Sequence, residues 1–420
     1  MSPGSAFSGL TAYKTAMTPM TNTTPDHNSI TYFAEANYRG RQTRFGIRQS
    51  DRMGHVHIIG KTGTGKSTLL ETLIRQDIEA GQGIALLDPH GDLVEKIEGL
   101  IPQHRKDDLI YFNAPDPANT LGFNPLEQIA PLKRPLAASG LLEVFKKLWN
   151  DSWGPRLEHI LRNALFALLD QPDSTLADIL RLFEDNNFRK QVVKNTQNTR
   201  VRDFWLKEYE GYPARFRAEA IAPIQNKVGA FLADPILHRI LTQQKSSFYL
   251  RRVMDEGKIL LVNLSKGKIG EDTASLLGAM IVSRIGLAAL SRADISEDNR
   301  RPFFLYLDEF QSFTTLSIVS MLSELRKYKV AITLAHQHLA QLDLPVRDAI
   351  LGNVGTIISF RLGVADAELI AKEFYPDFSE IDLMNLPNHQ IYLKLLINGM
   401  VSKPFSATTL FEATKSGAAK

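Results

Sequence analysis

The stretch GKTGTGKST, residues 60–68, follows the short apolar run VHII and precedes a run with helical periodicity. Gly60 and Gly65 are separated by four residues and followed by Lys66 and Ser67, which is the spacing of a phosphate-binding loop between a strand and a helix. Glycines let successive backbone N–H groups turn inward, and the positive end of the following helix completes an anion site. The stretch therefore predicts that a triphosphate binds here.

Each residue of this loop is a candidate nucleotide ligand. Lys66 is expected to reach the β- and γ-phosphates, and the Ser67 hydroxyl is expected to bind Mg²⁺. The other interpretation, a simple glycine turn, does not explain the strand before the loop and the helix after it. The predicted nucleotide-binding residues are Gly60, Lys61, Thr62, Gly63, Thr64, Gly65, Lys66, Ser67 and Thr68.

The composition excludes some classes of protein. The 420 residues carry a formal net charge of +3, with 44% hydrophobic and 23% charged residues, as in an ordinary globular enzyme. Cysteine is absent, which excludes disulfides, thiolate zinc sites and cysteine nucleophiles. The small basic excess permits nucleic-acid binding without requiring it. The longest apolar stretch, residues 275–290, contains Arg284 near its middle, which favours a buried helix over a membrane span.

The order of apolar runs predicts an α/β fold with a mainly parallel sheet. Strand-like runs at HVHIIG, GIALLD and DLIYFN alternate with helical periodicity, and five more strand-like runs follow residue 257. Between them, residues 136–252 are helical in period, which predicts an inserted all-α domain. The core would then consist of residues 38–135 and 253–412. Residues 1–37 and 413–420 are predicted to be unstructured tails or linkers.

An acidic pair follows one of the later strands. In PFFLYLDEF, apolar residues lead directly to Asp308 and Glu309. A phosphate-binding loop needs a carboxylate at the end of a neighbouring strand to hold Mg²⁺, and this predicts a metal-binding role for Asp308. Glu309 is then placed to orient and deprotonate an attacking water, as in a hydrolase. The alternative interpretation is a solvated acidic pair at the end of a strand.

The absence of one motif indicates which nucleotide base, adenine or guanine, the site accepts. The guanine-specifying pattern Asn-Lys-x-Asp is absent, because NKVG at residues 226–229 lacks the aspartate. The sequence therefore favours ATP with Mg²⁺ over GTP.

Two polar residues have less specific signals. Gln337 ends the strand-like run VAITLAHQ, where an amide would contact the γ-phosphate, but an ordinary glutamine at the end of a strand is an equal alternative. Arg326 lies in ELRKYKV, as either a solvated helix end or an arginine finger for a neighbouring subunit's ATP site. Asp88 in DPHGD also has two alternative interpretations: it would assist the magnesium-bound water, or it would only form a turn.

Two histidine pairs suggest metal ligands at first sight. Each pair, His55 with His57 and His336 with His338, places two imidazoles on one strand face. No third ligand lies nearby in the sequence, so packing between strands is favoured over a metal site.

The ordered set GKTGTGKST, DPHGD, FFLYLDEFQSF, LRKYKVAITLAHQHLAQL and GNVGTIISFRLG resembles the HerA–FtsK group of P-loop motors. Within that group, residues 38–410 are most similar to type IV secretion coupling proteins, which drive conjugative DNA transfer. The resemblance implies a RecA-like P-loop NTPase core, hexameric rings with nucleotide sites at subunit boundaries, and DNA in a central channel. It also implies that the insertion is the all-α domain on the DNA-entry side.

The resemblance further implies roles for individual residues. Lys66 and Ser67 would bind phosphate and magnesium, Gln337 would be the sensor glutamine, and Arg326 the arginine finger acting in trans. The implied catalytic set is Lys66, Asp308, Glu309, Arg326 and Gln337. Coupling proteins usually carry N-terminal membrane helices, and none is recognised in this sequence. A cytoplasmic location is therefore expected, with a partner or a missing N-terminal anchor as the route to the membrane's inner face.

Three functional hypotheses follow. The leading one is an ATP-driven hexameric translocase of single- or double-stranded DNA, with a relaxase or secretion-channel proteins as further partners. The second is a secretion ATPase that moves protein cargo. The third is a nucleotide-gated ring that recruits a relaxase or nuclease without turnover, and the Asp308–Glu309 pair argues against it.

Overall fold

The computed structural model describes residues 29–38, 41–127 and 129–410. The strands in chain order are β1 (Ile30–Tyr38), β2 (Arg41–Arg48), β3 (Val56–Ile59), β4 (Gly83–Asp88), β5 (Leu109–Asn113), β6 (Ile259–Asn263), β7 (Phe303–Leu307), β8 (Val330–His336), β9 (Thr356–Ser359), β10 (Gln390–Lys394), β11 (Leu396–Ile397), β12 (Met400–Val401) and β13 (Phe405–Thr409). Helices occupy the connections between most of the strands that follow β3.

The helices in chain order are α1 (Gln49–Arg52), α2 (Lys66–Glu79), α3 (Asp92–Gly99), α4 (Arg134–Leu148), α5 (Pro155–Leu169), α6 (Asp178–Glu184), α7 (Asn186–Asn195), α8 (Thr199–Asp203), α9 (Ala214–Ala233), α10 (Pro235–Leu241), α11 (Leu250–Glu256), α12 (Lys266–Ile269), α13 (Glu271–Ser291), α14 (Ser317–Glu324), α15 (Leu344–Asn353), α16 (Val364–Phe374) and α17 (Glu380–Met384). Short 3₁₀ turns and one π-helical turn, Phe204–Tyr209, connect some of them.

One mixed sheet of eleven strands organises the fold, in the order β2-β1-β13-β10-β9-β3-β8-β7-β4-β6-β5. All neighbours from β9 to β5 are parallel, whereas β10, β13, β1 and β2 add antiparallel pairings at one edge. The small β11–β12 hairpin is separate. The prediction of an α/β fold with a mainly parallel sheet is confirmed. The eight strand-like runs found in the sequence correspond to β3 to β10.

The sheet separates two hydrophobic cores, because alternate residues of each strand point to opposite faces. On β4, Ile84 and Leu86 belong to the core covered by α2 and α3. Ala85 and Leu87 belong to the larger core, which also contains α4, α13 and the inserted helices. Both faces are covered, and this explains why the parallel strands are unbroken apolar runs.

The inserted segment is helical throughout. Residues 129–258 are all described, and they form only helices, turns and irregular connections. The predicted limits 136 and 252 fall inside α4 and α11, so the continuous helical unit runs from Arg134 to Glu256. The division of the chain into separate domains stays a prediction.

The apolar stretch around Arg284 is the core helix α13. With the following turn, residues Glu271–Asp294 are long and apolar enough to cross a membrane, but 67% of the most apolar window is buried inside the fold. The side chain of Arg284 donates to the carbonyl oxygen of Glu127 at 3.0 Å. Gly140 of α4 lets that helix approach α13 closely, because a Cβ there would lie 2.4 Å from Ser283 Oγ. The sequence prediction of a buried helix is confirmed.

The prediction of an unstructured segment up to residue 37 is wrong for residues 30–37, which belong to β1. This strand pairs with β2 and with β13 at the sheet edge. Its inward residue Phe33 is buried and meets Phe45 of β2 with ring centroids 5.4 Å apart. Phe33, Ala34 and Ala36 are all buried, but the strand follows directly on a segment rich in Ser, Thr and Pro, whose composition concealed it. The rest of the predicted tails, residues 1–28 and 413–420, lies outside the described residues.

Candidate nucleotide-binding site

The loop of residues 60–65 lies between the end of β3 and the start of α2. Gly63 and Gly65 have φ angles of +75° and +120°, which side chains with a Cβ rarely adopt. Gly65 is also crowded, since a Cβ there would lie 2.9 Å from His389 Nδ1 and 3.1 Å from Phe360 Cε1. Both glycines are therefore needed for the shape of the loop, and Gly65 is one of the two glycines that define its spacing.

Neighbouring segments hold this loop by its backbone. The N–H of Lys61 donates to the carbonyl oxygen of Arg361 at 2.9 Å, and the N–H of His389 donates to that of Thr64 at 2.9 Å. Within the loop, the Thr64 hydroxyl donates to the Lys61 carbonyl at 2.7 Å. The loop is thus fixed from the β9–β10 side of the sheet.

Lys66 is the first residue of α2 and is buried. Its Nζ donates to the carbonyl oxygens of Gly60 at 2.6 Å and Lys61 at 3.1 Å, so the ammonium lies inside the loop. Burial lowers the pKa of Lys66, and the nearby carboxylates of Glu309 and Asp308 oppose that shift. The structure therefore brings the predicted phosphate-binding lysine and the predicted acids into one electrostatic cluster.

The acidic pair follows β7 directly. The backbone N–H of Asp308 donates to the Leu87 carbonyl at 3.1 Å, which joins this turn to β4. Burial, together with the negative charges of Asp88 and Glu309, raises the pKa of Asp308 to about 7. A buried carboxylate surrounded by like charges binds a divalent cation favourably, because the cation removes the repulsion.

Gln337 follows β8 and connects the acid pair to the loop. Its Nε2 donates to the carboxylate of Glu309, and its Oε1 accepts from the Thr62 hydroxyl at 2.6 Å. The other carboxylate oxygen of Glu309 accepts from Nε2 of Gln311 at 2.5 Å. The amide predicted to contact the γ-phosphate therefore lies between the loop and the predicted base.

Asp88 has a structural role in the DPHGD turn. Its carboxylate accepts from the backbone N–H groups of His90 at 2.8 Å, Leu93 at 2.9 Å and Val94 at 3.3 Å. These bonds organise the start of α3. Because Asp88 also contributes to the raised pKa of Asp308, it shapes the charge of the site as well as the turn.

Arg326 lies beside the amino ends of the central parallel strands, whereas the loop lies beside their carboxyl ends. It is exposed and belongs to the short turn Leu325–Tyr328, just before the first residue of β8. The loop instead follows the carboxyl end of β3, which is the parallel neighbour of β8. A seven-residue strand spans about 20 Å at its usual rise, so Arg326 cannot contact the loop of its own chain.

The histidines make contacts within the protein. His57 Nε2 and His336 Nε2 lie 2.7 Å apart on adjacent strands. His55 Nε2 bonds the Leu322 carbonyl at 3.0 Å, and His338 Nδ1 bonds Asp366 at 3.1 Å. In the described part of the chain, no group of three histidine, aspartate or glutamate residues is arranged to hold a metal ion.

The sequence prediction missed three residues at the site. Gln311 contacts Glu309 and lies only two positions after it, so the DEFQ stretch carried a signal. Arg361 and His389 contact the loop through their backbones, which no residue type reveals. A separate cavity of about 290 Å³ lies beside the last turn of α2, lined by residues such as Gln49 and Gln82, and none of the predicted site residues lines it.

The side chains present fit a nucleotide with magnesium. The Lys66 ammonium inside the loop and the start of α2 suit phosphate, while the Ser67 hydroxyl and the Asp308 carboxylate are the oxygen ligands that Mg²⁺ prefers. Ser67 is exposed at the start of α2. These assignments remain predictions.

Comparisons with known proteins identify the family and the fold. The family model of the type IV secretion-system coupling protein DNA-binding domain matches residues 45–372. Comparison with individually curated proteins gave no match. Among solved structures, the bacterial conjugative coupling protein TrwBΔN70 has a TM-score of 0.62 and 16% identity, covering 89% of this chain and 87% of its own.

Two further structures share the fold. TrwB in complex with ADP and Mg²⁺ has a TM-score of 0.63 and 17% identity, covering 88% of this chain and 87% of its own. VirB4 of Thermoanaerobacter pseudethanolicus has a TM-score of 0.62 and 14% identity, covering 93% and 98%. At these identities the structures show a common α/β P-loop fold. Because the family model spans well over half of the sequence, the chain belongs to the type IV secretion-system coupling protein DNA-binding domain family.

Proposed function

We propose that this protein is an ATP-driven DNA translocase that works as a hexameric ring in conjugative or type IV secretion DNA transfer. The observation that carries the proposal is the contact of Gln337 with both Glu309 and Thr62, which ties a predicted base to a phosphate loop. Family membership supports DNA as the substrate that is moved.

In the proposed reaction, Lys66 and the loop N–H groups hold the β- and γ-phosphates of ATP. Magnesium held by Ser67 and Asp308 would neutralise phosphate charge. Glu309 accepts a proton from the water that attacks the γ-phosphorus, and the P–O bond to the β-phosphate breaks to give ADP and phosphate. Asp308 must be ionised for this step, and the ammonium of Lys66 favours its ionised form.

The proposed coupling uses two residues at opposite ends of the central strand β8, Gln337 and Arg326. Gln337 contacts the loop and Glu309, so loss of the γ-phosphate would change its position. Arg326 lies too far from the loop of its own chain, and its exposure suits a role in a neighbouring subunit's site. Ring assembly would therefore complete each catalytic site.

DNA would be held by its phosphate backbone. A motor that advances along any sequence needs contacts that do not depend on the bases, and lysine and arginine contacts to phosphate have this property. Binding should weaken steeply as salt rises, because counterions are released on binding.

The proposed location is the cytoplasm, at the inner face of the membrane through a partner or an N-terminal anchor. A relaxase or secretion-channel proteins are the proposed further partners. Particle mass measured with an ATP analogue and DNA tests the ring, and a persistent monomer would contradict it.

The decisive experiment is the ATPase rate with and without single- and double-stranded DNA. We expect stimulation by at least one form, and the absence of any stimulation would contradict the proposal. Glu309→Gln should bind ATP normally and lose turnover. The exposed Glu98 of α3 provides the matched control, since Glu98→Gln removes a charge far from the acid pair. High affinity for a secreted protein without affinity for DNA would favour protein transport instead.

A further inference from the structure

The segment after Glu309 folds into a short turn, and a side chain of this turn donates a hydrogen bond to the Glu309 carboxylate. Residues Phe310–Ser312 form a 3₁₀ turn, and the side chains of Phe310 and Phe313 are buried beneath it. From this turn Gln311 donates Nε2 to Glu309 at 2.5 Å, while Gln337 donates to the other carboxylate oxygen. The carboxylate orientation therefore depends on the position of the turn as well as on Gln337.

A lysine of the inserted helical segment holds the same turn. Lys147 on α4 donates Nζ to the carbonyl oxygens of Gln311 at 2.8 Å and Ser312 at 3.2 Å. Lys147 is exposed as a whole residue, yet burial of its ammonium lowers its pKa to about 8, and Asp343 opposes that shift. The ammonium is therefore directed at the turn rather than into bulk water.

A second residue of α4 contacts the chain just beyond the turn. Glu143 precedes Lys147 by four residues, which places both on one face of the helix. Burial raises the pKa of Glu143, and the nearby backbone of Ser317 and hydroxyl of Thr315 oppose that shift. One face of α4 thus lies against residues near both ends of the stretch 311–317.

The end of α4 that carries Lys147 is joined to another inserted helix. Phe145 stacks on Trp149 with centroids 4.6 Å apart, and both rings stack on Phe231 of α9 at 5.9 and 6.2 Å. Aromatic stacks of this kind resist independent movement of the helices that they join. A displacement of α9 would therefore reach the last turn of α4 and Lys147.

We infer that Lys147 and Gln311 are positioning residues that connect the inserted helices to the catalytic carboxylate of Glu309. Lys147 fixes the turn through its two carbonyl oxygens, and the fixed turn places the Gln311 amide against the carboxylate. A shift of the inserted helices on DNA binding would then change the orientation of Glu309. The DNA-dependent part of this inference rests on the proposed function, whereas the connection itself does not.

The experiment is a double-mutant cycle on the full chain with Lys147→Met, Gln311→Met and both together. Each single variant should lower the basal kcat about tenfold, since a misplaced base loses alignment, while KM stays within about twofold. The double variant should be no slower than the slower single variant, because both changes break one connection. Multiplied effects in the double variant would overturn the inference.

Two controls separate positioning from folding. Lys147→Arg keeps a donor for both carbonyl oxygens and should restore most of the rate, which a general packing defect would not allow. The adjacent Lys146 is exposed and, within the part of the chain that the structure describes, donates no hydrogen bond to the turn, so Lys146→Met should be active. Equal losses in the Lys146 and Lys147 variants would refute the connection.

A separate experiment tests the DNA-dependent part of the inference. If DNA stimulates the ATPase rate of the wild-type protein, Lys147→Met should bind DNA normally and lose most of that stimulation. Full stimulation of the Lys147→Met variant would contradict the DNA-dependent part. If wild-type protein is not stimulated at all, the proposed function fails, while the basal cycle still decides whether Lys147 and Gln311 position Glu309.

Discussion

The side-chain amide of Gln337 donates a hydrogen bond to the carboxylate of Glu309, and its carbonyl oxygen accepts one from the hydroxyl of Thr62. A residue after β8 thereby contacts the acid after β7 and the loop after β3. Since β3, β8 and β7 are successive neighbours in the sheet, Gln337 is the central member of this row. Its neighbours on both sides are the residues proposed to bind phosphate and to activate water.

Replacing Gln337 by alanine should impair turnover more than binding. The loop and Lys66 hold the phosphates without this amide, so KM should change less than about threefold, whereas kcat should fall about 100-fold as a transition-state contact is lost. Steady-state ATPase kinetics measure both. The exposed Gln341 is a matched control, and Gln341→Ala should resemble wild type. A raised KM at unchanged kcat would show that Gln337 serves only to bind substrate.

Arg326 should act on a neighbouring subunit. Arg326→Ala and Lys66→Ala should each be inactive, but an equal mixture should recover about a quarter of the wild-type rate. Half of the subunits, those with Arg326→Ala, have an intact loop. Half of the subunits next to them carry Lys66→Ala and supply the arginine, so a quarter of all sites are complete. The exposed neighbour Lys327 offers a control, since Lys327→Ala should be active alone. A mixture as inactive as its components would argue against action in trans.

Asp308→Asn should stabilise the metal-free protein at high pH. Burial, with Asp88 and Glu309, raises the pKa of Asp308 from 3.8 to about 7. The native state therefore keeps a proton that the unfolded chain releases, and the stability that Asp308 contributes below pH 4 is lost as pH rises through 7. The asparagine stays neutral, so its advantage should grow to at most about 4 kcal/mol above pH 7.

Thermal unfolding in a chelator, at pH 5 and pH 8, measures this difference. The gain from Asp308→Asn should be larger at pH 8. Asp107 is exposed, and Asp107→Asn should give a similar Tm to wild type at both values. An equal gain at the two pH values would mean that charge repulsion at Asp308 is not the cause.

The buried pair Arg52–Asp77 should be important for stability. Arg52 donates to Asp77 through two nitrogens at 2.5 and 2.8 Å, and Tyr306 OH donates to the same carboxylate at 2.5 Å. This network ties α2 to β7 on the face opposite the inserted helices. Asp77→Asn leaves the Arg52 charge buried and poorly compensated, so we expect a loss of about 3 kcal/mol.

Urea unfolding monitored by circular dichroism gives the comparison. The exposed Glu79 lies two residues away, and its pair with Arg75 is long at 3.9 Å, so Glu79→Gln should cost less than about 0.5 kcal/mol. Similar losses for the two variants would contradict the importance of burial.

The central sheet could be predicted because its parallel strands are covered on both faces. Full burial leaves a continuous apolar run such as GIALLD, and a polar residue at its carboxyl end then stands out. Asp308 and Glu309 were recognisable in this way. The strand β1 near the sheet edge was not, because it follows directly on a segment rich in Ser, Thr and Pro, although Phe33 and Ala34 are buried. The backbone contacts of Arg361 and His389 to the loop were also hidden, since they depend on the path of the chain and not on residue type.

The φ angle of Glu309 is +44°, a left-handed conformation that strains any residue with a Cβ, at a cost of order 1 kcal/mol. The fold alone would favour glycine at this position. Glu309→Gly should therefore be catalytically dead and yet lose little stability, or gain some. At the position of the carboxylate that we assign to water activation, catalysis and stability therefore favour different residues. A search for heat-resistant variants would favour the loss of Glu309 and, with it, the loss of ATPase activity.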